Sequence, residues 1–205
     1  VPRHFEEEDR ETIRTELLGR GAELFSRYGF RKTGVDEVAR LAGVSKGSFY
    51  SFFDSKEDFF VEILLETERK IRETLEKNLF SSELPVKEAF VDALFRQLMY
   101  LRNTPVLHIL TKPEEYHFLF RKLGPEQRGK LFAADEEYVI RLLQEAGNHL
   151  HLREVDPPVL TGALRGISLL VMHREEIGEP VFEDSLRLIL TAVADYLFPD
   201  GDTSS

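Results

Sequence analysis

The sequence predicts an all-α protein of about nine helices. Three observations point there. Apolar residues recur at three- and four-residue spacing through almost all of the 205 residues, and no period-two run is bracketed by hairpin turns. Glycines, prolines and hydroxyl residues (Gly29, Gly43, Ser45, Ser55, Pro105, Pro157) fall between the periodic segments, where helices start and stop. The length allows one large domain, or a small one joined to a larger one.

The first helix carries Ile13, Leu17, Leu24, Phe25 and Tyr28 on one side and ends at Gly29. Thr33 is placed to cap a second helix, with Asp36 near its positive end. That helix is short because Gly43 follows Leu41 and Ala42. Ser45 caps a third, from Lys46 to about Phe52, and Asp54 or Ser55 caps a fourth, from Lys56 to about Leu79. None of these can bury an apolar face alone, so Val35, Val38, Ala39, Val44, Phe49 and Phe53 are expected to close on the first helix. Beyond the break at 81–85, helices are expected over about 86–103, 114–123, 125–146, 157–173 and 181–198. Residues 104–113 read either as a short helix or as a bend, and the tail from Pro199 is expected to fray.

Composition excludes several function classes. Without cysteine there are no disulfides, no thiolate nucleophiles and no cysteine-ligated metal sites. No apolar run approaches the length needed to span a bilayer. The amino terminus is acidic where a signal peptide is basic and then apolar, and the start at Val1 implies at least a missing initiator Met, so a cytoplasmic protein without membrane contact is expected. Nucleophile-elbow, zincin, dinucleotide and P-loop motifs are all missing, so no enzyme and no cofactor is expected. His149 and His151, with His173, form the one candidate metal set; histidines in a polar connection are read as solvated, and no metal is expected. His108 and His117, among apolar residues, read as packing histidines.

The net charge is −10, which argues against indiscriminate binding to polyanions. Yet Ile13 to Lys56 holds eight basic and five acidic residues, against −13 for the remainder. A solvated helical surface accounts for that local excess as well as a phosphate-facing one does.

The segment from Thr33 to Glu57 stands out. Two short helices joined by a tight glycine turn follow the helix-turn-helix plan, in which the second helix enters the major groove. Ser45 and Thr33 offer hydroxyls and helix-terminal amides, Gly47 removes a side chain that would hold the backbone off, Lys46 and Ser48 reach bases or phosphate, and Tyr50 and Lys56 reach phosphate. An ordinary three-helix core with capped ends accounts for the same residues.

From Ile13 to Phe60 the chain resembles the DNA-binding region of the tetracycline-repressor (TetR) family. The resemblance rests on Ala22, Leu24, Phe25, Gly29-Phe30, Thr33, Val38-Ala39, Ala42-Gly43-Val44-Ser45, Gly47-Ser48-Phe49-Tyr50, Phe53 and Ser55-Lys56-Glu57 in family spacing. It covers about a quarter of the chain. It implies a homodimeric transcriptional regulator, usually a repressor, released from a palindromic operator by a small ligand. Residues 1–55 are then the DNA-binding domain and 56–205 a helical effector-binding and dimerisation domain. Thr33, Ser45, Lys46, Gly47, Ser48, Tyr50 and Lys56 match the family's DNA-contacting positions, with Lys46 the reader of a base. The chain departs from the family at Phe52, which has no polar atom for a phosphate and is expected to pack or to touch sugar.

The last two helices carry apolar stripes, Leu160, Leu164 and Ile167 on one and Leu186, Ile189, Leu190 and Val193 on the other, with Gly162 and Gly166 four apart. A stripe is ordinarily core; the resemblance implies that these residues meet a second subunit across a two-fold axis. It also implies an effector pocket among the middle helices, for which Phe90, Phe95, Met99, Tyr116, His117, Phe120 and Tyr138 are the candidates, suited to an apolar or aromatic ligand. The rival reading, from a different class, is an all-helical protein-interaction module that ignores duplexes.

Overall fold

A computed structural model describes residues 7–80, 82–147 and 152–199. Among them the chain forms eleven α-helices and no strand: α1 (Glu7–Lys32), α2 (Val35–Leu41), α3 (Lys46–Phe49), α4 (Lys56–Phe80), α5 (Val86–Asn103), α6 (Pro105–His108), α7 (Pro113–Lys122), α8 (Pro125–Gly147), α9 (Pro157–Leu170), α10 (Arg174–Ile177) and α11 (Phe182–Leu197). Short 3-10 turns follow α6 and α9 and precede α11. The fold class is as expected. The expected nine helices become eleven because single-turn α6 forms where the sequence left a short helix or a bend open, and single-turn α10 forms ahead of the turn at Gly178. Prolines open α6, α7, α8 and α9, positions where a missing N–H costs nothing.

By packing, the described residues divide into two compact units: those within 7–68 and 104–131, and those within 69–103 and 132–199. The long helices α4 and α8 each contribute to both.

The first unit is built around phenylalanine. Phe25, Phe49, Phe59 and Phe60 are fully buried, Phe30 and Phe53 nearly so. Most of their rings meet edge-on or tilted, Phe25 to Phe60 at 4.8 Å, Phe49 to Phe59 at 5.0 Å and Phe53 to Phe59 at 4.7 Å between centroids, while Phe25 stacks on Phe30 at 5.7 Å, geometries that the ring quadrupole favours. Gly29, at φ 78°, ψ 169°, interrupts α1 where the sequence places its end; the backbone bend turns the chain toward α2. Thr33 does not cap α2. Its hydroxyl donates instead to the Gly29 carbonyl at 2.9 Å, the N-cap position falls on Gly34, and Thr33 is 2% exposed.

In the second unit α5 packs along α11, and α9 closes over both. One cluster joins Phe95 and Leu98 with Ile167, Val171, Phe182, Leu186 and Leu190; another joins Phe90, Val139, Leu160, Ala194, Leu197 and Phe198. Asp135 of α8 ties this unit together by accepting from Arg72 of α4 at 2.6 Å and from Arg165 of α9 at 2.9 Å.

Candidate nucleic-acid interface

Helices α2 and α3 are held by one apolar face. Val38, Ala39 and Phe49 point inward and are essentially inaccessible, with Phe49 seated between Phe53 and Phe59. The turn between the helices needs Gly43, whose φ of 71° lies in the left-handed region, and closes with Gly43 N–H to the Arg40 carbonyl and Val44 N–H to the Ala39 carbonyl. Ser45 then caps α3 as expected, its Oγ accepting from the Ser48 amide at 3.0 Å and lying 2.9 Å from the Ser48 hydroxyl. Burying one side of a four-residue helix necessarily turns the other out: Ser45, Lys46, Gly47 and Tyr50 are exposed and Ser48 half-buried. A β-carbon on Gly47 would meet only Ser45 Oγ, at an ordinary 3.7 Å, so nothing inside the protein demands glycine there. Tyr50 stands edge-on against Phe49 at 5.3 Å, which steadies the ring while its phenol stays outside.

Five of the seven residues expected to face DNA thus share one surface. Thr33 does not, because it is buried and its hydroxyl is spent on Gly29. Lys56, at the start of α4, is half-buried with Nζ 4.4 Å above the Phe30 ring, and burial holds its ammonium below the ordinary lysine value, helped by Lys122. It faces the aromatic core of its own unit as much as solvent. α3 itself ends at Phe49, and the expected continuation to Phe52 is a turn.

Two residues near this surface escaped the sequence reading. Arg10 of α1 donates to the Ser51 carbonyl at 3.3 Å and stacks 4.7 Å over Phe52, and the two residues line a shallow notch with Glu11 and Arg14. Phe52 therefore packs, under a cation drawn from α1. The available signal was the spacing Arg10, Arg14, Leu17 on one helix face, since Leu17 is buried. Asp36, read only as a partner for the α2 terminus, lies 3.0 Å from Lys46 Nζ, and this pairing raises the lysine's affinity for its proton.

Residues 17–63, which contain all of α2 and α3, match the model for bacterial regulatory proteins of the tetR family. Over that segment the chain carries the DNA-binding region of the tetR family. It is 51% identical over 51 residues to the HTH-type transcriptional repressor KstR2 of Rhodococcus jostii (strain RHA1), a match covering 25% of each chain. It is 36% identical over 91 residues to YhgD of Bacillus subtilis (strain 168), an uncharacterized HTH-type transcriptional regulator, covering 42% of this chain and 45% of that one. The chain spans less than half the length of both relatives. In fold it is similar to reduced NemR of E. coli, with a TM-score of 0.62 at 21% identity over 92% of this chain and 100% of that one. TetR-family members are transcription regulators rather than enzymes.

The candidate effector residues divide between the two units. Tyr116, His117 and Phe120 lie on α7 in the first, where Tyr116 stacks on Phe120 at 5.8 Å and meets the His117 ring edge-on at 5.9 Å. Phe90, Phe95, Met99 and Tyr138 belong to the second. Phe90 and Phe95 sit in separate clusters, and Met99 packs beside Phe95's. The Tyr138 ring lies under Arg72 and Arg141, at 4.8 and 5.6 Å. Its buried hydroxyl has no hydrogen-bond partner among the described residues, and burial pushes its phenol far above the ordinary value.

Four of the seven residues expected to meet a second subunit are buried in the chain's own core: Leu160, Ile167, Leu186 and Leu190. They keep 6% exposure or less, so little of their surface is left to offer a partner. Leu164 and Val193 are half-buried against the same core, and only Ile189 is exposed. The outward apolar surface of these helices consists of Val159, Leu188, Ile189 and Tyr196, with Gly162 and Gly166 facing open space. His149 and His151 lie outside the described residues, and no group of three metal-binding side chains occurs among the described ones. No described helix is long and apolar enough to cross a membrane.

Proposed function

We propose that this protein is a DNA-binding transcriptional regulator, a repressor that binds a palindromic operator in the cytoplasm as a homodimer and is released by a small apolar or aromatic effector. The observation that carries the reading is the orientation of α3: Phe49 anchors one side in the aromatic core, and Ser45, Lys46, Gly47, Ser48 and Tyr50 form the other. A short rod with a lysine, hydroxyls and a phenol on its free side, beside Arg10, carries donors both for base edges and for phosphates.

The dimer requirement is electrostatic. One helix-turn-helix contacts few phosphates, and affinity scales with the number neutralised, so two copies about one DNA turn, roughly 34–36 Å, apart are needed. The outward face of α9 and α11 supports the pairing, with Leu188 and Ile189 as apolar contacts and Gly162 and Gly166 allowing a close helix approach. The aromatic side chains of the middle helices support an apolar or aromatic effector. An effector releases DNA only as far as it binds the DNA-incompetent arrangement more tightly, and α4, whose residues 56–68 and 69–80 serve different units, is the element such a ligand would shift.

Selection of bound duplexes from a random pool, followed by titration at several salt concentrations, tests the reading. A palindromic consensus with affinity falling steeply with salt is expected, and Lys46→Ala should weaken binding and relax one base preference. Absence of duplex binding even at low salt, by a chain that sediments as a single subunit, would overturn it.

A further inference from the structure

The pairing of Lys46 with Asp36 bears on how an operator would be read, and it rests on the DNA-binding reading above. Lys46 Nζ lies 3.0 Å from Asp36 Oδ2, bridging α3 to the first turn of α2. Both side chains are largely exposed, 55% and 70%, on the face that carries Ser45, Gly47 and Tyr50. An ammonium has three donors and a carboxylate several acceptor positions, so the bond between them uses only part of either group's capacity. Toward a phosphate the pair is electrically neutral. Toward a base pair it presents donors next to acceptors.

We propose that Asp36 and Lys46 act together as a specificity-determining pair that reads a G·C base pair in the major groove. The ammonium would donate to guanine O6 or N7, and the carboxylate would accept from the cytosine N4 amino group on the same edge. An A·T pair has its amino group at adenine N6, next to N7, and places the thymine O4 acceptor where the cytosine amino group would be, so a carboxylate set for cytosine N4 is repelled there. The same neutrality works against indiscriminate binding. While Asp36 holds the ammonium, Lys46 releases no counterion from a phosphate, so non-operator DNA gains nothing from it. Asp36 also suits the positive end of α2, and that role alone would be indifferent to DNA sequence.

The full chain and its Asp36→Ala, Asp36→Asn and Lys46→Ala variants would be put through selection from a randomised duplex pool. Wild type and the Asp36 variants would then be titrated with salt on one fixed duplex outside the selected set. The pair predicts a G·C preference at one position per half-site, lowered on the order of ten-fold in all three variants. It also predicts a salt slope steeper by about 0.9 in both Asp36 variants, because the freed ammonium then neutralises a phosphate. Asp36 variants that keep the wild-type preference and slope would overturn the pair while leaving DNA binding intact. A wild type that binds no duplex would overturn the DNA-binding reading and this inference with it. Circular dichroism and thermal melting matched to wild type establish that the variants are folded, as expected at an exposed position.

Discussion

Gly21 of α1 lies so close to Phe59 of α4 that a β-carbon at position 21 would stand 2.3 Å from Phe59 Cζ, and 2.7 Å from Ile63 Cδ1. This approach lets α4 press the Phe59 ring under Phe49, and so sets the position of α3 from beneath. Neither neighbour has room to retreat, because Phe59 is 0% exposed and Ile63 2%.

Gly21→Ala should therefore destabilise the protein despite the better helix propensity of alanine. Propensity contributes about 1 kcal/mol in favour, and overpacking a filled core at so short a contact costs about 2–3 kcal/mol, so a net loss of about 1–2 kcal/mol is expected. Urea unfolding of the purified variant measures it. An unchanged or raised midpoint would show that α1 and α4 separate without cost.

Leu188 and Leu190, two residues apart on α11, should behave oppositely. Leu188 is 72% exposed and Leu190 fully buried. Leu188→Glu should leave the helical spectrum unchanged and convert the proposed dimer to a monomer in sedimentation. Leu190→Ala should cost about 2–5 kcal/mol of fold stability. A Leu188→Glu variant that stays dimeric would exclude this face of α11 as the subunit contact.

Acid should weaken the start of α4 through Asp58. Burial alone raises its carboxyl, but the Ser55 hydroxyl, the Gln127 amide and the Lys130 ammonium outweigh burial and hold it below its ordinary value of 3.8. A carboxyl depressed in the folded state contributes stability fully above its unfolded pKa and loses it as pH falls through the folded one. The difference in melting temperature between wild type and Asp58→Asn should accordingly be largest near neutrality and shrink below about pH 4. A difference that stays constant down to about pH 2 would remove Asp58 from the acid transition.

Much of the candidate interface's local geometry was legible because its signals are local. Gly43, Ser45 and the apolar residues Val38, Ala39 and Phe49 specify two short helices and the side each buries, and the exposed side follows by subtraction. Thr33 was misread because a hydroxyl near a helix start has two possible acceptors or donors within reach, and the bend at Gly29 brings its own carbonyl closer. Arg10 was missed because its partners, Ser51 and Phe52, are about forty residues away in sequence. The stripes on α9 and α11 were read correctly as apolar, but an apolar stripe states only that it avoids water.

Helix content, the Ser45 cap and the glycine turn were settled by the chain itself, since each depends on residues a few positions apart. Which surfaces remain free was decided only by tertiary packing. Leu190 and Leu188 are the same residue type on one helix, yet α5 and α9 cover the first and leave the second. Lys46 could be placed on the outer face of α3 from the sequence, whereas its bond to Asp36 required α2 and α3 to be set at one angle by Phe49. Contacts of that kind depend on where separate helices meet, and no local pattern encodes that distance.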